Sequence, residues 1–66
     1  MMNFGERLYK ERMKREWTQQ YLADKAGLRR VAIARLENKY NDPSLASLRK
    51  LCSAFNCSWN TLLGKP

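Results

Sequence analysis

Arg29, Arg30 and Arg35 lie close together in GLRRVAIARLENK, Gly27 to Lys39, with one carboxylate, Glu37, among them. Wound as a helix at about 100° per residue, Arg30, Val31, Ala34 and Arg35 share one sector, while Ala32, Ile33 and Leu36 share another. The second sector suits a core. The first leaves two guanidinium groups in solvent with small apolar side chains between them. An arginine can donate two hydrogen bonds to a guanine edge, and a valine or alanine methyl can touch the thymine methyl group. A helix with this stripe therefore fits the major groove of double-stranded DNA.

The residue types for other chemistry are missing. The chain has no histidine, and Cys52 and Cys57 are its only cysteines. Neither a four-ligand zinc site nor a Cys-His nucleophile can be assembled within one protomer. With no Gly-rich phosphate loop and no paired acids for a cleft, an enzyme is not expected, nor is a metal or cofactor. Cys52, beside Leu48, Leu51 and Phe55, reads as a buried small hydrophobe, which suits a reducing cytosol.

Charge narrows the partners. Thirteen Lys and Arg against six Asp and Glu give +7 in 66 residues, enough to attract a polyanion over a Debye length. Nucleic acid is the first partner implied and an anionic membrane the second. MMNFGER has no uninterrupted apolar core for a signal peptide, and no apolar run approaches the length of a membrane span. A membrane-active cationic helix would confine its charges to one face of an isolated helix, which the capped pattern below does not.

The elements that must position the stripe are short helices. Phe4, Leu8, Tyr9, Met13 and Trp17 recur at helical spacing and predict a first helix from about Asn3 to Arg15, with that set as its core face. Thr18 caps a second helix, Gln19 to Ala26, which buries Leu22, Ala23 and Ala26 and stops at Gly27. The third runs from about Arg30 to Asn38, before the turn-rich Lys39 to Pro43. Ser44 caps a fourth, with Leu45, Leu48, Leu51, Cys52 and Phe55 along one side. Asn56-Cys57-Ser58 ends it. Ser58 caps a fifth through Leu63, and Gly64 stops that. Five helices with no strand, repeat or linker signal predict one all-α domain over residues 1–66.

With those elements in place, TQQYLADKAGLRRVAIARLENKYNDPSLASLRKLCSAF resembles the lambda-repressor-like, Cro-type helix-turn-helix family. The matching positions are Thr18-Gln19, Leu22-Ala23, Ala26-Gly27, Ile33, Leu36-Glu37-Asn38, Pro43-Ser44 and Leu48, within a match that spans Gly5 to Leu63. The resemblance implies a compact five-helix DNA-binding domain whose helix-turn-helix, about residues 18–38, is formed by helices two and three. It implies a sequence-specific transcriptional regulator, a small bacterial or phage repressor that binds operator DNA as a homodimer in the cytoplasm, at the nucleoid. The alternative it leaves open for this chain is a DNA-binding antitoxin or interaction module of the same fold, whose main partner is a protein.

By the same resemblance the third helix reads bases, through Arg30, Val31, Ala34 and Arg35. Thr18, Gln19, Arg29, Asn38, Lys39, Tyr40 and Asn41 lie along the DNA backbone, with Gln19 also bracing the third helix. Arg12 is implied to pair with Glu37 and lock helices one and three together. Three positions depart from the pattern. Arg29 replaces the usual Ser or Thr cap of the third helix, so either a DNA phosphate is its partner or a poor cap is tolerated. Glu11 stands where the family has an apolar core residue, and Lys39 where glycine often follows. For a dimer, Trp59, Leu62 and Leu63 of the fifth helix are the interface candidates, with core burial the alternative for Trp59 and the stronger expectation for Leu62.

Overall fold

The protein was analysed as a computed structural model, which describes residues 3–38 and 42–64. Asn3 starts the first helix with a complete capping box. Its side chain accepts from the Glu6 amide at 2.9 Å while the Glu6 carboxylate accepts from the Asn3 amide at 3.4 Å. Helix α1 then runs Phe4–Lys14, followed by α2 (Gln19–Ala26), α3 (Arg30–Glu37), α4 (Leu45–Phe55) and α5 (Trp59–Leu63). Asn3, Arg15 and Asn38, expected inside helices, are cap residues.

Thr18 and Ser44 cap α2 and α4 through their hydroxyls, which accept from the amides of Tyr21 and Ser47. Ser58 holds the N-cap position of α5 but makes no side-chain bond to the helix backbone. Its hydroxyl lies 3.4 Å from that of Thr61 instead.

Three helices end in the same way. Glu16, Gly27 and Asn56 each adopt a left-handed conformation just past the helix, with φ of 58°, 70° and 54°. The next amide in each case reaches back to the carbonyl five residues earlier: Trp17 to Arg12, Leu28 to Ala23, Cys57 to Cys52. This is the Schellman arrangement. It returns an apolar side chain, Trp17, Leu28 or Cys57, to the edge of the core, so each helix end contributes to packing.

The helices close around Leu8, Leu22, Ile33, Leu51 and Leu62, all fully buried. Helix α3 packs on both α1 and α2, α4 supports α2, and α5 bridges α1 and α4. Two expectations need correction here, the first being Leu45, which stands exposed at 61% at the start of α4 and not along its buried side. Tyr9 and Met13 are about half exposed, at 50% and 46%, because the buried line of α1 is Gly5, Leu8 and Arg12. An arginine can take the inward position only because a carboxylate meets it there.

Gly5 is where α1 crosses the end of α3. A Cβ at this position would stand 2.5 Å from the Leu36 carbonyl oxygen and 2.9 Å from that of Glu37, both backbone atoms. Gly5→Ala should therefore push the two helices apart and cost about 1–3 kcal/mol, measured as a lowered urea midpoint. An unchanged midpoint would show that the helices separate freely.

Candidate nucleic-acid interface

Helix α3 lies across the domain with Ile33 and Leu36 in the core. Of the four predicted base-reading residues, Arg30, Val31 and Arg35 are exposed and Ala34 is half-buried. Val31 keeps 53% of its surface in solvent, a large exposure for a valine. Ala32, expected on the core side, is half-buried. Arg29 stands exposed at the N-cap of α3 and its side chain makes no capping bond, though its carbonyl accepts from the Ala32 amide at 3.0 Å.

The carboxylate of the opening motif points the other way. Glu37 accepts from Arg12 Nε at 2.7 Å and Nη2 at 3.1 Å, a bidentate pair with both side chains more than nine-tenths buried. The third nitrogen, Nη1, donates to the Trp17 carbonyl at 2.6 Å. Arg12 thus joins α1, the α1–α2 turn and the end of α3. Hydrogen bonding to Glu37 holds it protonated more firmly than an ordinary guanidinium, against the opposing effect of burial. The Tyr9 ring, displaced from the core, lies 5.3 Å from the guanidinium and covers it.

Gln19 completes the group from α2. Its amide nitrogen donates to Glu37 Oε1 at 3.0 Å, and its amide oxygen accepts from Arg30 Nη1 at a long 3.5 Å. One side chain at the start of α2 therefore touches both ends of α3. Thr18, its neighbour, is occupied as the cap of α2. Asn38 is exposed and closes α3 through its backbone amide, 3.0 Å from the Ala34 carbonyl. Lys39, Tyr40 and Asn41 lie outside the described residues.

Glu11, the departure in α1, is resolved by a clamp that the sequence reading did not foresee. Its side chain is mostly buried and meets Lys14 at 3.3 Å and Arg15 at 3.0 Å. Burial pushes this carboxyl up, but hydrogen bonds from Arg15 and Lys14 bring it net below its ordinary value. Arg15 also donates to the Phe55 carbonyl at 3.1 Å and stacks over the Phe55 and Trp17 rings. The spacing of Glu11 and Arg15 by four was a visible signal for half of this clamp; the reach to Phe55 was not.

Of the interface candidates on α5, Trp59 and Leu63 are exposed at 41% and 37%. Leu62 is removed from that set. It is fully buried, because α5 is too short to turn more than one side chain inward and Leu62 is the one that meets the core. Among the described residues no group of three or more His, Cys, Asp or Glu converges as a metal site, and no helix is long and apolar enough to cross a membrane.

Known proteins share this fold. The fold superposes on the P22 c2 repressor, solved in complex with a synthetic operator, with a TM-score of 0.90 and 30% identity over the whole of both chains. It superposes on the restriction-modification controller C.AhdI from Aeromonas hydrophila with a TM-score of 0.87 and 30% identity over 91% of each. In sequence it is 36% identical to the HTH-type transcriptional regulator ImmR of Bacillus subtilis over 97% of its length, and 37% identical to AnsR of the same organism over 91%. The chain spans about half the length of these curated relatives, 50% and 52%. Residues 8–62, from the buried Leu8 of α1 to the buried Leu62 of α5, match the helix-turn-helix family model, and the chain belongs to that family.

Proposed function

We propose that this chain is the sequence-specific DNA-binding domain of a transcriptional regulator, and that it occupies operator DNA as a homodimer in the cytoplasm, at the nucleoid. The observation that carries this reading is the exposed stripe on α3, held from behind by Gln19 and Glu37. Arg30 and Arg35 donate to guanine edges, and Val31 and Ala34 meet thymine methyl groups. Gln19, Thr18, Arg29 and Asn38 take phosphate oxygens, as do Lys39, Tyr40 and Asn41, setting orientation without reading sequence. A +7 charge supplies the salt-dependent part of the affinity. Support comes from the P22 c2 repressor, whose structure is an operator complex, and from two regulators among the relatives.

Two recognition helices enter successive major grooves when a dimer presents them roughly 34 Å apart. Trp59 and Leu63, one helical turn apart and both exposed, form the apolar surface for that pairing. Selection of bound sites from random duplexes should return two related half-sites, protected together in one footprint. Binding that is indifferent to sequence would overturn the reading.

Arg29 provides a separate check on the backbone contacts. Arg29→Ser restores a side-chain cap and should stabilise the free domain by about 1 kcal/mol, read from its denaturant midpoint. The same change should weaken binding to all duplexes alike and lower the salt slope by about one unit. An unchanged slope would remove Arg29 from the phosphate contacts.

A further inference from the structure

Cys52 and Cys57 take no part in the DNA-facing surface. Cys52 is buried on α4, and Cys57 is half-buried just beyond its end. The Schellman closure brings them together: the Cys57 amide donates to the Cys52 carbonyl at 3.0 Å, and the Asn56 amide to that of Ser53 at 3.2 Å. In this motif the side chains of the two residues so linked are frequently in contact. At the other two such ends the linked residues are Arg12 with Trp17 and Ala23 with Leu28; at the end of α4 both are thiols.

We propose that Cys52 and Cys57 are an oxidisable dithiol that closes to an intrachain disulfide on reaction with a hydroperoxide. Cys57 is the attacking group, since it is the more exposed of the two, and its backbone amide is tied to the Cys52 carbonyl at 3.0 Å. Its thiolate attacks one peroxide oxygen and breaks the O–O bond, giving a sulfenic acid and, after protonation, one water or alcohol. Cys52, deprotonated, then attacks the Cys57 sulfur and displaces the hydroxyl as water. Two thiols lose two electrons, and the peroxide takes them up.

The charged groups around Cys57 are Glu11, Lys14 and Arg15. Burial keeps both thiols above their ordinary range, Cys52 at about 11, so the reaction quickens as pH rises. The product fastens the α4–α5 corner covalently, directly before Trp59.

Hydrogen peroxide treatment of the reduced chain, followed by alkylation under denaturing conditions and intact mass measurement, tests this without DNA. The expected product is lighter by two hydrogens, carries no alkyl group on either cysteine and runs as a monomer on a non-reducing gel. Cys57→Ser, with its helical circular dichroism intact, should lose that product entirely. In Cys52→Ala, Cys57 should stop at the sulfenic acid and be trapped by dimedone. Alkylation of both cysteines after peroxide, overoxidation without a bond, or a disulfide between two chains would each overturn the proposal.

Discussion

Arg12→Ala is expected to destabilise the domain by about 3–5 kcal/mol, the cost of leaving one member of a buried ion pair without its partner. Glu37 would keep only the Gln19 amide, and the Trp17 carbonyl would lose its donor. The effect is a large share of what holds a chain of this size together, since folded domains are stable by only about 5–15 kcal/mol. Urea unfolding followed by circular dichroism would read it directly. Replacing both residues together, Arg12→Met with Glu37→Leu, should recover much of the loss, because no charge is then left stranded. A single variant as stable as the parent would mean that water reaches Glu37 and solvates it. Where the single variant remains folded, its sequence preference should change less than its stability, since Arg12 lies behind α3 and not on its outer stripe.

The double replacement of Arg30 and Arg35 by alanine should have the second large effect, this time on recognition. Each arginine that makes a bidentate contact to guanine contributes about 1–3 kcal/mol of discrimination, so the pair should cost about 2–6 kcal/mol against the selected site. Affinity for unrelated duplexes should fall far less, leaving a domain that binds DNA with little choice of sequence. Both residues are exposed on α3, so the unfolding midpoint should stay near that of the parent. Titration of selected and scrambled duplexes at one fixed salt concentration makes the comparison. A parallel loss on both would move the two arginines from base edges to phosphates.

The helices were legible because their ends are written in the sequence. Thr18, Gly27 and Ser44 stop or start the chain by local chemistry that no distant contact has to confirm, and α2 has the bounds its sequence predicts. The face of α1 was not legible in the same way. Tyr9 and Met13 have the right spacing for a core, and only the distant carboxylate of Glu37 explains why Arg12 lies inside and they lie out. Residue spacing alone would have placed a guanidinium in solvent; the pairing came from the family resemblance. Glu11 shows the same limit from the opposite side, since its burial depends on Arg15, whose other partner is the carbonyl of Phe55 on another helix. The stripe on α3 was legible because helix, core and solvent faces follow from one local period. Its bracing by Gln19 came from the family resemblance, and the tertiary fold supplied the partners, Glu37 and Arg30.

The two contacts of Gln19 make the arginines of the stripe unequal before any ligand arrives. Arg30 already has a polar partner in the free domain, while Arg35 has no such tether among the described residues. Ordering a long side chain at an interface costs about 0.5–1.5 kcal/mol, and part of that cost has been met in advance for Arg30 alone. Under the proposed function Arg30 enters the groove already touched on one side by Gln19, and Arg35 enters it without such a contact. The base pair under Arg30 should be the stricter position of each half-site, and the one under Arg35 the position where related operators differ.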